Sequence, residues 1–279
     1  MAAGAIAGGA SLFAGYPLAS SSEIDAAIMG QLPPRGGRTV PAEDASAAVG
    51  IVLGAGTSGA LGVTAMTAAA LAGADDLIRY GIESRIPGLF LLVGGRPGSS
   101  RRPECASQEE AIRLRIAPHG EAAAPVWIPA TSSECFTVTR AAATEARSRS
   151  MPVLVYADDV VAHLREPVAA EEGPGPSAAA PPADLYRTRD AAILVVAFGI
   201  VARAARTAIR MAREEGIRAG LFRPVRLWPF PHAELAAALS RARTLVVAEL
   251  NEGQLIDTVA AASAEARRGS SRSRSRARG

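Results

Sequence analysis

The sequence contains no lysine, so all 30 of its basic residues are arginine. It contains only two cysteines, Cys105 and Cys135, which lie far apart and form no CxxC pair. This spacing argues against a disulfide framework and against an iron–sulfur cluster or other metal site held by this chain. Unpaired thiols are typical of reducing compartments, so we expect a cytoplasmic protein.

The chain also lacks a general excess of one charge and any long run of large apolar residues. Residues 45–74 carry no charge, but Gly, Ala, Ser and Thr dominate them, which predicts a buried core rather than a membrane helix. The net charge of +3 becomes −3 once the six arginines of residues 267–279 are set aside. We therefore expect neither a membrane nor a nucleic acid as partner. The Arg/Ser-rich end could bind RNA or an acidic surface, but a disordered end is the simpler interpretation.

What the sequence does contain is a regular alternation of short apolar runs with helical segments. The runs that predict buried strands in the first half lie at 11–15, 61–66, 88–93, 125–128 and 151–156. Such alternation is typical of a parallel sheet covered by helices on both faces. A second strand–helix–strand unit follows from Ile193 onward, after a segment rich in Pro, Ala and Gly.

The stretch from Pro41 to Met66 organises the first half of the chain. Asp44 is expected to cap a helix, because its carboxylate can accept the free N–H groups of the first turn. The helix that follows consists of small and apolar residues, and a Gly-rich break at 54–59 leads into the strand at 61–66. This is strand–helix–strand material of an α/β core.

Several segments resemble one known family. The run AEDASAAVGIVLGAG…VTAMTA, from Ala42, resembles MEDEIAAIGAAIGAS…AMTA of the α subunits of 2-oxoacid:ferredoxin oxidoreductases, the 2-oxoglutarate type especially. FAGYPLASSSEI, from Phe13, resembles the family's FAGYPITPSSEI. In the second half, RPVRLWPFP and LVVAELNEGQL resemble RPITLWPFP and VVELNMGQM. The resemblance covers nearly all of residues 5–262 and implies that Trp228 and Phe230 are packing or interface residues.

The resemblance implies an α/β protein of two domains. A pyrimidine-binding fold for thiamine diphosphate, with a parallel sheet and helices on both faces, is expected at 1–167. A linker at 168–190 leads to a smaller transketolase-C-terminal-like α/β domain at 191–266. The family chain continues with folded residues beyond this point, so we expect that domain to be truncated and residues 267–279 to form a disordered Arg/Ser tail.

The resemblance also implies where the cofactor is activated. In the family a Glu bonds the pyrimidine ring, and counting back from Gly50 places it at Ala45. The second acid of the family's segment is kept as Glu43, which we predict as the catalytic and cofactor-binding carboxylate. On an extended segment Glu43 would point the same way as position 45, about 6–7 Å back along the chain.

Other predicted contacts lie in neighbouring loops. Tyr16, Pro17 and Gly73 are expected to contact the cofactor, and Ser21 and Arg96 the substrate. Two of these contacts have alternatives: Ser21 is favoured as a simple helix cap, and a solvated loop position is at least as good an interpretation of Arg96. The family's TSGPG turn is replaced by four residues of Ala and Leu before Gly73, which predicts a helix there, and Ala19 replaces a substrate-contacting Thr.

The chain lacks the Gly-Asp-Gly…Asn element that holds the cofactor's diphosphate and Mg²⁺. The resemblance therefore implies that thiamine diphosphate is shared with a β subunit, which would also hold the Mg²⁺ and the [4Fe-4S] cluster. Ferredoxin, coenzyme A and a 2-oxoacid are the other implied partners. Two hypotheses remain open: a working α subunit, or a catalytically degenerate paralogue with a structural or regulatory role, favoured by Ala19, Ala45 and residues 69–72.

Overall fold

A computed structural model describes residues 1–17, 21–94, 108–115, 123–168, 180–251 and 253–264. The chain forms two compact units, one of Met1–Ala180 with Leu227–Pro229 and one of Pro181–Arg226 with the residues from Phe230 on. The predicted substrate contact Arg96, the substitution at Ala19 and the Arg/Ser tail lie outside the described residues.

Strands and helices alternate along both units. The strands are β1 (Ala10–Gly15), β2 (Arg38–Pro41), β3 (Leu61–Thr67), β4 (Gly88–Val93), β5 (Val126–Trp127), β6 (Pro152–Ala157), β7 (Ala183–Tyr186), β8 (Ile193–Val196), β9 (Ala219–Pro224), β10 (Arg226–Trp228) and β11 (Thr244–Val247). The helices are α1 (Ala2–Ala7), α2 (Ser22–Gln31), α3 (Ala45–Thr57), α4 (Ala68–Ala72), α5 (Asp75–Glu83), α6 (Glu109–Arg113), α7 (Ser132–Arg149), α8 (Asp159–Ala162), α9 (Gly199–Glu214) and α10 (His232–Leu239). Residues 254–264 are also helical.

The first unit is built on a seven-stranded sheet in the order β10-β5-β6-β4-β3-β1-β2. The pairs from β5 through β2 are all parallel. The central strands β4 and β6 are buried at every residue, which is expected where helices cover both faces of a parallel sheet. The predicted α/β fold is confirmed.

Close packing of α3 on β3 depends on one glycine. A Cβ added at Gly62 would lie 2.7 Å from the carbonyl oxygen of Val52 and 2.8 Å from its Cα. No side chain fits there, so the small residue lets the helix backbone lie directly on the strand. The position of α3 matters because its first turn follows the carboxyl end of β2.

The second unit has a four-stranded sheet in the order β11-β8-β9-β7. Strand β7 is antiparallel to β9, and the other pairs are parallel. Strand β7 lies inside the range 168–190, which the sequence predicts as a linker. The strand is not evident from the sequence because it is short and without periodicity, and because its pairing partner lies almost 40 residues later. Helix α9 covers this sheet through buried residues such as Ala202 and Ile209.

The aromatic residues of the segment RPVRLWPFP are buried within the chain itself. Trp228 ends β10 and belongs to the seven-stranded sheet, with 4% of its surface exposed. Phe230 is 6% exposed and packs against Phe222 of β9, with ring centroids 6.2 Å apart. Both residues therefore serve in packing, the first of the two roles predicted for them. None of the helices in the described residues is long and apolar enough to span a membrane.

Candidate functional site

The carboxyl ends of β1, β2 and β3 meet at one edge of the seven-stranded sheet. Strand β1 lies between the other two, and the chain leaves the neighbouring strands β1 and β3 in opposite directions, from β1 to β2 and from β3 to β4. This is the topological switch point at which open α/β sheets bind ligands. The backbone N–H of Ala42 donates to the carbonyl of Gly15 at 2.7 Å, and the Thr64 hydroxyl donates to the carbonyl of Ala14 at 2.8 Å, so the three strand ends are tied together.

Four of the predicted cofactor residues follow these strand ends. Tyr16 and Pro17 come directly after β1, Glu43 follows β2, and Gly73 ends the short helix after β3. The hydroxyl of Ser46, in the first turn of α3, donates to the Gly73 carbonyl at 3.5 Å. The structure therefore brings the predicted cofactor residues to one edge.

The first turn of α3 shows which carboxylates are free at this edge. The Asp44 carboxylate accepts the backbone N–H of Ala47 at 2.6 Å, so the predicted cap is confirmed and this acid is engaged. Glu43 is exposed, and within the described part of the chain its carboxylate has no hydrogen bond or ion pair. Asp44 is extended and Ala45 is the first helical residue, so Glu43 lies before the helix and position 45 lies in its first turn. The helix begins there because the Asp44 cap initiates it.

The loop after β3 folds as its alanines predict. Residues Ala68–Ala72 form helix α4, and the Thr67 hydroxyl caps it by accepting the N–H of Ala70 at 3.1 Å. The replacement of Gly and Pro by Ala predicts this helix. The contact between Ser46 and Gly73 joins segments 27 residues apart and has no signal in the sequence.

Ser21 does not act as predicted at the start of α2. It occupies the N-cap position but makes no side-chain capping bond, so the favoured capping role is wrong. Its hydroxyl is fully buried and donates instead to Asp25 Oδ2 at 3.4 Å. The other carboxylate oxygen, Asp25 Oδ1, is buried without a hydrogen-bond partner. Burial raises the pKa of Asp25 to about 6, and the Ser21 hydroxyl acts in the opposite direction.

The sequence does not predict that Asp25 is buried, because an acid in the first turn of a helix ordinarily faces solvent. The available signal was its distance of four residues from Ser21, which places both side chains on one face of the helix. The predicted contact of Ser21 with a substrate stays a prediction, since the hydroxyl is occupied by Asp25 in this structure.

The carboxyl ends of β4 and β6 form a second polar region on the same edge. Asp158 is 1% exposed and caps α8 by accepting the N–H of Val161 at 2.9 Å. The Tyr156 hydroxyl is buried without a hydrogen-bond partner, and desolvation raises its pKa far above the ordinary value. Cys135 is a free, buried thiol whose pKa burial raises to about 11, so it stays protonated near neutral pH. Within the described residues, no group of three His, Cys, Asp or Glu side chains could hold a metal ion.

Two sequence-family models match the chain. Residues 3–211 match the family described as pyruvate flavodoxin/ferredoxin oxidoreductase, thiamine diphosphate-binding. Residues 191–275 match pyruvate:ferredoxin oxidoreductase core domain II. The first match alone extends over well more than half of the sequence. The chain belongs to the pyruvate flavodoxin/ferredoxin oxidoreductase family.

Relatives in this family match this chain over most of their own length. The 2-oxoglutarate synthase subunit KorA of Methanothermobacter thermautotrophicus is 29% identical, over 95% of this chain and 90% of its own length. The KorA subunit of Archaeoglobus fulgidus is 27% identical, over 92% and 87%. The ketoisovalerate oxidoreductase subunit VorB of Methanothermobacter marburgensis is 26% identical, over 93% and 86%.

Solved structures share the fold of this family member. The 2-oxoglutarate:ferredoxin oxidoreductase from Magnetococcus marinus, with 2-oxoglutarate, coenzyme A and succinyl-CoA bound, superimposes with a TM-score of 0.81 at 22% identity. The match covers 93% of this chain, which spans 58% of that solved chain. A split-gene transketolase, an inactive β4 tetramer, gives a TM-score of 0.65 at 20% identity over 91% of this chain and 79% of its own.

The described residues at the switch point fit the family's thiamine diphosphate in most respects. Small side chains, Ala45 and Ser46, lie at the start of α3 beside Gly73, and Glu43 offers a free carboxylate. The departure is at position 45, where the side chain has no group that can hold or move a proton. The first residue of α3 thus carries no carboxylate.

Proposed function

We propose that this chain is the α subunit of a 2-oxoacid:ferredoxin oxidoreductase, which carries out CoA-dependent oxidative decarboxylation of a 2-oxoacid such as 2-oxoglutarate together with a β subunit. The observation that supports this most strongly is the family match over residues 3–211, a range that includes the joined ends of β1, β2 and β3. The relatives named above are subunits of such enzymes, which favours an enzyme subunit over the catalytically degenerate alternative.

The division of labour follows from what this sequence offers. Thiamine diphosphate, when bound, supplies the carbanion stabilisation that lets a 2-oxoacid lose its carboxyl group. This chain would hold the ring end of the cofactor, through Tyr16, Pro17, Glu43 and Gly73. The sequence has no Gly-Asp-Gly…Asn element and no cysteine cluster, so the β subunit would bind the diphosphate, the Mg²⁺ and the [4Fe-4S] cluster that passes electrons to ferredoxin.

The acid–base part of the reaction would be weak in this chain. Glu43 is the free carboxylate beside the edge, but it lies two residues before the position that the resemblance assigns to the activating Glu. A proton-transfer group must come within about 2.6–3.2 Å of its partner. We infer that Glu43 supports slow turnover and does not replace a carboxylate at Ala45. Arg96 and Ser21 remain the proposed contacts for the carboxylate region of the substrate.

Co-expression tests this proposal. The chain is produced together with a cognate chain that has the Gly-Asp-Gly…Asn element and the cysteine cluster, and the two are purified through a tag on one. We expect a stable hetero-oligomer that binds thiamine diphosphate and reduces a viologen dye only when 2-oxoacid and coenzyme A are both present. The β chain alone is the control. Two chains that elute separately, or a complex in which this chain changes neither cofactor binding nor dye reduction, would contradict the proposal.

A further inference from the structure

A pocket lies in the second unit, far along the chain from the strand ends described above. It has a volume of about 490 Å³, within the range of small-ligand sites. Its lining consists of one residue of β7, the loop that follows this strand and one residue of α9. The lining residues are Leu185, Arg187, Thr188, Arg189, Asp190 and Arg213.

Arg213 fixes the shape of this loop. Its guanidinium donates to both carboxylate oxygens of Asp190, at 2.7 and 3.0 Å, and to the carbonyl of Arg187 at 2.7 Å. Its Nε donates to the carbonyl of Ala219 at 2.6 Å. The guanidinium holds the pKa of Asp190 below its ordinary value, so the carboxylate stays ionised and paired. The charges of Arg213 and Asp190 are therefore paired with each other.

Further contacts hold the loop from outside. Arg241 donates to the carbonyl of Arg189 at 3.1 Å. Gly220 of β9 has no side chain to keep the loop away, since a Cβ there would lie 2.6 Å from the carbonyl oxygen of Arg187. Arg187 itself adopts a left-handed backbone conformation, with φ of 52°, which an arginine rarely takes. Such a conformation persists only where surrounding contacts impose it, and these contacts do so.

The remaining donors of the pocket are not used within the chain. In the described residues, the guanidinium of Arg189 has no ion pair, hydrogen bond or ring contact. The guanidinium of Arg187 lies over the ring of Tyr186, 5.5 Å from its centroid, and meets no described carboxylate. Thr188 is only 9% exposed, yet its hydroxyl has no hydrogen-bond partner in the described part of the chain. The Thr188 hydroxyl and the two guanidinium groups therefore remain available to donate hydrogen bonds to a ligand.

The charges define the ligand that would satisfy these groups. Because Arg213 and Asp190 neutralise each other, Arg187 and Arg189 leave a charge of about +2 in the pocket. A guanidinium matches two oxygens of a phosphate at once, and a hydroxyl donates to a third. We propose that this pocket is an anion site for a phosphate group, held by Arg187, Arg189 and Thr188. It is independent of the proposed oxidoreductase function and of the site in the first unit.

Direct titration of the full-length chain tests the site. Inorganic phosphate and adenosine monophosphate are titrated calorimetrically at constant ionic strength, with chloride as the competing anion. We expect saturable phosphate binding that weakens about tenfold or more in Arg187→Gln/Arg189→Gln, which loses its charge-assisted hydrogen bonds. The matched control is Arg243→Gln, because Arg243 is an exposed arginine outside the pocket and should bind like wild type.

The hydroxyl is tested separately, in case the double variant folds poorly. Thr188→Val should weaken phosphate binding about threefold or more, and Thr188→Ser, which keeps the hydroxyl, should restore it. Tighter binding of adenosine monophosphate than of phosphate would identify an organic phosphoester as the ligand, and equal or weaker binding would identify free phosphate. Phosphate binding no stronger than chloride binding, or unchanged in both the double variant and Thr188→Val, would overturn the proposal.

Discussion

The carboxylate of Asp44 accepts a hydrogen bond from the backbone N–H of Ala47 over 2.6 Å, and this contact sets where α3 begins. Because the cap fixes Ala45 as the first helical residue, it also places Glu43 before the helix and position 45 in its first turn. The hydrogen bond therefore connects helix stability to the geometry of the candidate site.

Removing this cap should lower stability measurably. We expect Asp44→Ala to reduce the free energy of unfolding by about 1 kcal/mol, since the first-turn N–H groups lose their acceptor. Asp44→Ser retains a side-chain acceptor and should lose much less. Urea unfolding of the three proteins measures the difference, and equal losses in both variants would show that the hydrogen bond is not the source.

Alanine substitutions at two glycines distinguish the effect of close packing from the effect of helix propensity. Gly62→Ala should destabilise the chain by about 1–3 kcal/mol, because its Cβ would overlap the backbone of Val52. Gly54 lies within α3 with nothing within 4 Å of an added Cβ, so Gly54→Ala should stabilise by about 0.5–1 kcal/mol. Thermal unfolding shows whether each substitution raises or lowers the melting temperature. A shift of the same sign in both variants would contradict the packing account.

Asp25 should make stability depend on pH. Burial raises its pKa from the ordinary value of 3.8 to about 6, so the folded chain holds this proton more tightly than the unfolded chain. The contribution of Asp25 to the free energy of unfolding is therefore most favourable below about pH 4. It falls as the pH rises through 6 and stays low above that pH. Asp25→Asn should raise the melting temperature at pH 8 and change it little at pH 4.

The control for this titration is Glu83→Gln, which removes an exposed carboxylate of α5. It should leave the difference between the two pH values as in wild type. A melting temperature of Asp25→Asn that exceeds wild type equally at both pH values would mean that ionisation of Asp25 is not the cause.

Much of the fold could be predicted from the sequence because it depends on local pattern. The predicted strand at 88–93 has the bounds of β4, and the predicted cap of α3 is confirmed by the Asp44 carboxylate, which accepts the Ala47 N–H at 2.6 Å. The edge strands β2 and β7 were not predicted, since each has only four residues, contains no buried residue and is defined by its pairing partner. Chain order likewise could not reveal that Trp228 joins the first sheet.

The candidate site could be predicted at the level of strand ends and not of individual contacts. Tyr16 and Gly73 follow strands that the apolar pattern predicts, whereas Glu43 follows β2, which the pattern does not predict. Parallel pairing brings these three strand ends together. The bond from Ser21 to Asp25 is a choice between two local partners, a helix N–H and a side chain, which sequence cannot decide. The pocket beside Arg213 depends on contacts between distant segments, which no motif marks.

The central claim is that efficient reaction requires a carboxylate at position 45, where this chain has Ala45, and that Glu43 does not replace it. General acid–base assistance is worth about 10²–10⁴-fold in rate. We therefore expect the complex of wild-type chain and β subunit to turn over slowly, and Ala45→Glu to raise the rate by about tenfold or more. Ala45→Gln introduces a side chain of about the size of glutamate but without its charge, so this variant should not raise the rate.

The measurement is 2-oxoglutarate- and CoA-dependent reduction of a viologen dye by complexes that contain the wild-type, Ala45→Glu, Ala45→Gln or Glu43→Gln chain. The account predicts slow turnover in wild type, a faster reaction only in Ala45→Glu, and at most a modest further loss in Glu43→Gln. Fast wild-type turnover that disappears in Glu43→Gln would contradict it, because Glu43 would then have assumed the role that the account assigns to position 45.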